Sequence, residues 1–265
     1  MPFVINDGVK IWFEVEGEGP PLMLMHGTTG SSKSWRRLGI TDALRDEYKL
    51  ILVDARGHGK SDKPHDPVAY LPEPKTNDIK AILDQLDIES THYMGYSMGG
   101  RIGFDVVAKA PNLFRSMIAG GAGPSPQSLL EMSSQMDENT IEQIVEMREA
   151  VNGRMADDFR TDLLANDIHA IRVSLDPAVL DQEELYRAKL KKFSKPTLMF
   201  VGTEDPRIDD IETMTEQMPQ AEFISIEGRD HGGAMEAILG LMPQIKSFLE
   251  RVSQSQNSTN SRDRS

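Results

Sequence analysis

Uninterrupted apolar runs constrain this chain more than any other feature. LMLMHG (residues 22–27) and KLILVDA (residues 49–55) lack the polar–apolar alternation of a strand with one wet face. Strands buried on both faces belong to mostly parallel sheets covered by helices on either side. Longer helical patterns separate them, as in NDIKAILDQLDI, where Ile79, Ile82, Leu83 and Leu86 fall at i, i+3, i+4 and i+7. The alternation of the two patterns predicts an α/β sheet.

Other elements fall into place around these runs. FVINDG and KIWFEVEG read as an opening hairpin turning at Asp7-Gly8. A helix is expected from about Ser34 to Arg45. THYMGY, RSMIAGGAG, PTLMFVG and AEFISIEG read as further strands. Between Gly123 and Pro196 strand signals vanish and helical pattern takes over, with a capping box expected at Asn139 and Glu142 and an N-cap at Asp176 before Pro177. Met132, Met136, Met147 and Met155 in this stretch either line an adaptable apolar pocket or simply pack on the main domain. The last helix is expected to end near Val252, starting or kinking at Pro243, and the polar residues after it read as a disordered tail.

The 29 basic and 42 acidic side chains give a formal charge of −13. That sign disfavours nucleic acid and anionic membrane surfaces as partners. The absence of cysteine removes disulfides, thiolate metal sites and a cysteine nucleophile. No His/Asp/Glu cluster has metal-ligand spacing, and no cofactor is expected. Without a basic start, a long apolar run or a membrane-length segment, the chain reads as cytoplasmic. Its oligomeric state leaves no mark in the sequence.

Chemistry enters at Gly95-Tyr96-Ser97-Met98-Gly99, a G-x-S-x-G between a predicted strand and a predicted helix. This spacing marks a sharp strand-to-helix bend that presents a serine hydroxyl, with Gly95 and Gly99 small for clearance. A serine hydroxyl is a weak nucleophile and needs a base oriented by a third group. His231 follows the last predicted strand, and an acid follows the strand ending at Val201, where Asp205 competes with Glu204, Asp209 and Asp210. GTTGSSKS (residues 27–34) approaches a phosphate-binding loop, but Ser32 stands where that pattern requires glycine before the lysine.

With the order serine, acid, histidine, the chain resembles the α/β-hydrolases, specifically a small esterase or lactonase-type member, over roughly residues 3–252. The resemblance implies an eight-stranded, mostly parallel sheet with helices on both faces and a helical cap inserted after the sixth strand. Residues 1–123 and 196–252 would form the core, 124–195 the cap and 253–265 the tail. It implies a triad of Ser97, Asp205 and His231, the acid chosen by its Gly-x-x-Asp placement after Gly202. HGTTG (residues 26–30) would be the oxyanion loop, with backbone donors at Thr28 and Met98, and DARGHGKSD (residues 54–62) would shape the loop after the fourth strand. The implied activity is hydrolysis of a small to medium ester or lactone through an acyl-enzyme. Alternatives on the same framework are a slow-turnover ligand receptor, or a perhydrolase, haloperoxidase or carbon–carbon hydrolase.

Overall fold

The computed structural model describes the backbone of residues 2–262, and the side chains of these except 135–138, 148, 151–152 and 256–262. The strands are β1 (Phe3–Asn6), β2 (Val9–Glu16), β3 (Pro21–Met25), β4 (Lys49–Val53), β5 (Thr91–Tyr96), β6 (Phe114–Gly120), β7 (Thr197–Gly202) and β8 (Ala221–Ile226). They form one sheet in the order β1-β2-β4-β3-β5-β6-β7-β8. β1 and β2 are antiparallel, as are β2 and β4, while the remaining pairs are parallel. The predicted eight-stranded architecture is therefore present. Asp7 and Gly8 both take positive φ (48° and 80°), the turn that closes the β1–β2 hairpin.

The helices of the first half are α1 (Lys33–Arg37), α2 (Ile40–Leu44), α3 (Pro72–Gln85) and α4 (Met98–Lys109). The single helix expected near Ser34–Arg45 is thus two. Gly39 between them sits at φ 73°, left-handed backbone that ends one helix and starts the next. Between β6 and β7 lie α5 (Gln127–Glu138), α6 (Ile141–Asn152), α7 (Asp157–Leu164), α8 (Ile168–Ser174), α9 (Pro177–Leu180) and α10 (Glu183–Leu190). The capping box of α6 is made by Thr140 and Gln143, one residue later than expected. Asp176 caps α9 as predicted.

α11 (Ile208–Glu216), α12 (His231–Glu236) and α13 (Met242–Arg262) complete the chain. α13 continues ten residues past Val252, through most of the expected tail. The Ser253 and Ser255 hydroxyls donate back to the Leu249 and Val252 carbonyls, the local bonding by which serine is accommodated inside a helix.

Each sheet face has its own core. On one, Ile79, Ile82 and Leu83 of α3 and Phe104 and Val106 of α4 cover Met23, Ile51 and Tyr93. On the other, Trp35, Leu44, Ile245 and Phe248 cover Leu22, Leu50 and Leu198. Burial on both sides accounts for the unbroken apolar runs. Among the described residues no helix is long and apolar enough to cross a membrane.

Candidate active site

The C-terminal ends of β3, β5, β7 and β8 converge at one edge of the sheet, where open α/β sheets bind ligands. Ser97, between β5 and α4, adopts φ 54° and ψ −116°, a strained backbone for a residue with a side chain. The strain persists because its surroundings leave no room to relax. A Cβ on Gly99 would lie 2.1 Å from the Met25 carbonyl oxygen, and one on Gly95 would lie 2.4 Å from the Gly99 carbonyl carbon. Neither glycine position has room for a side chain.

His231 opens α12 and Asp205 follows β7. Their loops are stitched together by bonds from the Thr203 N–H to the Ile226 carbonyl and from the Glu204 N–H to the Arg229 carbonyl. Ser97 Oγ lies 3.0 Å from His231 Nε2, and His231 Nδ1 lies 2.8 Å from Asp205 Oδ2. A carboxylate only accepts, so Nδ1 carries the proton and Nε2 is free to accept from the serine. Asp205 is 1% exposed. Its rivals do not reach the histidine: Glu204 and Asp209 are exposed, and Asp210 accepts from the Ser125 N–H and pairs with Arg187.

Two groups that the sequence reading passed over hold this relay in place. Arg207 donates from Nε to Asp205 Oδ1 at 2.7 Å, and its backbone N–H donates to the same oxygen at 3.1 Å. The Tyr96 hydroxyl donates to the His231 carbonyl at 2.5 Å, with the two rings 5.2 Å apart. Only proximity in DPRI, and the position before the serine, could have signalled them.

Burial lowers the His231 pKa below the ordinary imidazole value, and the Arg207 charge lowers it further against the opposing hydrogen bond that Nδ1–H donates to Asp205. Burial alone would raise Asp205, but the hydrogen bonds from His231 and Arg207 overcome it and hold the carboxyl below its ordinary value. The resting pair is therefore neutral imidazole beside carboxylate.

The β3 loop packs against the serine. A Cβ on Gly27 would sit 3.4 Å from Ser97 Cβ, and Gly30 N–H closes a turn onto the Gly27 carbonyl. His26 fixes this loop: its Nδ1 lies 2.8 Å from the Gly27 carbonyl, and its Nε2 accepts from Ala55 N–H at 3.1 Å. Asp54 accepts from the N–H groups of Ser32 and Lys60, so DARGHGKSD braces the same loop. Burial, its largest cause, pushes the His58 pKa down to about 3. Met98, first in α4, has an N–H without an intrahelical acceptor. Thr28 and Met98 line one small cavity, and the buried Thr28 Oγ1 has no hydrogen-bond partner there.

The cap side of that cavity is Leu129, Ser174, Leu175 and Leu180. Met132, Met147 and Met155 do not line it: Met132 packs among the helices between β6 and β7 and Met147 is exposed, while the side chain of Met136 lies outside the described residues. Among the described residues no group of three or more His, Asp or Glu side chains could hold a metal ion.

The family model described as alpha/beta hydrolase fold matches residues 20–165, more than half of the chain. A putative 2-succinyl-6-hydroxy-2,4-cyclohexadiene-1-carboxylate synthase of Bacillus subtilis (strain 168) is 31% identical over 131 residues, 48% of this chain and 46% of that one. The chain thus spans about half the length of that relative. The sn-1-specific diacylglycerol lipase ABHD11 of Danio rerio is 25% identical over 90% of this chain and 81% of its own. Among solved structures, the enol-lactonase of Burkholderia xenovorans LB400 superposes with a TM-score of 0.80 at 18% identity, covering 94% of this chain and 100% of that one.

Proposed function

Because the chain belongs to the alpha/beta hydrolase fold family, we propose that it is a serine hydrolase cleaving a carboxylic ester or lactone of small to medium size through an acyl-enzyme. Ser97 Oγ attacks the carbonyl carbon while His231 Nε2 takes its proton. Asp205 keeps the imidazole oriented and stabilises the imidazolium. The carbonyl oxygen becomes negative in front of the Met98 and Thr28 backbone N–H groups, each donor contributing about 3 to 4 kcal/mol to the transition state. Collapse breaks the bond to the leaving oxygen, which receives the proton from His231. Water then gives a proton to His231 and adds to the acyl carbon. The acid departs as Ser97 recovers its hydrogen.

One observation carries this reading: the continuous relay from Ser97 through His231 to Asp205 at 3.0 and 2.8 Å. The names of the relatives support hydrolytic chemistry on this framework, a lipase and an enol-lactonase among them. The direct test is a panel of p-nitrophenyl esters of several chain lengths beside a lactone panel, with Ser97→Ala as control. Multiple turnovers lost in the control are expected, and ordinary esterase activity in Ser97→Ala would refute the assignment.

A further inference from the structure

The cavity beside Thr28 and Met98 has a wall opposite in sign to the chain around it. Arg56, Lys75 and Arg101 line it, and among the described residues no acidic side chain does, although the formal charge of the whole chain is −13. Asp78 accepts two bonds from Arg56, at 2.7 and 2.6 Å, and Asp105 pairs with Lys75 at 2.8 Å. Neither carboxylate reaches the cavity surface.

Arg101 differs from the other two. Its guanidinium donates to the Gly123, Pro124, Ser125 and Leu180 carbonyls and lies 4.9 Å from the centre of the Tyr186 ring. Among the described residues no carboxylate pairs with it. Carbonyl dipoles solvate its charge without cancelling it, so three cations face two carboxylates in the cluster. A buried excess charge is unfavourable unless a counterion completes it.

We infer that this cavity recognises a carboxylate on the acyl part of the substrate, so that the preferred substrate is a half-ester of a short dicarboxylic acid, or a small lactone whose acyl part carries a free carboxylate. The inference rests on the hydrolase reading for its direction. The cavity borders the donors assigned to the acyl oxygen, and His231, which hands its proton to the leaving group, does not line it. Its volume, about 40 Å³, holds only a few waters' worth of space, which restricts the acyl chain to a few carbons. Arginine and lysine together supply the charge-assisted donors that carboxylates bind.

The test compares kcat/KM for mono-p-nitrophenyl glutarate with that for p-nitrophenyl valerate, its neutral counterpart of equal chain length. The glutarate half-ester should be favoured about tenfold or more at low salt, and the preference should shrink as salt screens it. In Arg101→Gln the cation that has no carboxylate partner leaves the wall, while the amide can still donate to the carbonyls Arg101 holds. The glutarate-to-valerate ratio should then fall about threefold or more, and a ratio within one preparation is independent of how much protein is folded. Equal use of both esters by the wild type, or an unchanged ratio in the variant, overturns the inference. If neither ester turns over, the hydrolase reading fails separately, and thermal stabilisation by free glutarate against neutral glutaramide decides the inference. Stabilisation by glutarate alone supports it, and equal or absent shifts overturn it.

Discussion

From Thr91 to Tyr96 every residue before the serine is buried, and glycines at 95 and 99 bring β5, α4 and the β3 loop into contact. The helices between β6 and β7 are joined differently. α10 packs into the sheet's own core through Tyr186 and Leu190, whereas α5, α8 and α9 share a small core of Leu129, Ile171, Leu175 and Leu180 with a few partly buried neighbours, and polar bonds add further ties: Arg101 to four carbonyls, and Asp210 to Arg187 and the Ser125 N–H. The elbow is set by excluded volume, which tolerates no intermediate positions. The cap is set by a small apolar cluster and a few charge-assisted bonds, which tolerate repacking. Chemistry should therefore depend on the first region, and repacking of the second should change how a substrate fits more than how fast it reacts.

The sharpest way to break that contrast is Ser97→Ala, which should lower kcat/KM for an ester substrate by up to about 10⁶-fold with little change in thermal stability. Asp205→Asn should follow at about 10⁴-fold, because an amide can hold the wrong imidazole tautomer. In the cap, Leu175→Ala removes a side chain that is 3% exposed and lines the cavity. It should loosen the cap by about 2 to 4 kcal/mol, read as faster amide exchange in α8 and α9, with KM rising more than kcat falls. A large kcat loss from this change, or none from Asp205→Asn, would erase the distinction.

The smallest effect concerns pH. The proposed mechanism needs His231 neutral, and burial together with the Arg207 charge keeps its pKa below the ordinary value of 6.5. The acid limb of kcat/KM should therefore lie below that value. In Arg207→Met the imidazolium is opposed by one charge fewer, so the limb should move to higher pH. Loss of activity without movement of the limb would reduce Arg207 to packing alone.

The same contrast governs which features are legible in the sequence. The strands were legible because burial on both faces leaves a contiguous apolar run, and the serine because its bend demands small neighbours at fixed offsets. His231 was legible as a polar residue just past a strand, whereas Asp205 shared its place with Glu204, Asp209 and Asp210 and stood out only through the Gly-x-x-Asp placement that the family resemblance implies. Arg56, Lys75 and Arg101 converge from three separate segments, and no local pattern announces that they meet. The split at Gly39 and the box at Thr140 show another limit: backbone handedness and cap position are decided by one residue, below the grain of a periodic pattern.

Strand order has a consequence in time. In the proposed mechanism the nucleophile follows a central strand, whereas its base and acid follow the two strands at the far edge, a separation of 134 positions from Ser97 to His231. During synthesis the amino-terminal part of the sheet emerges first. A nascent chain carries a hydroxyl with no base beside it, inert until the edge completes. Turnover then reports a finished sheet, so recovery of activity on refolding should trail the recovery of helical signal and coincide with docking of β7 and β8.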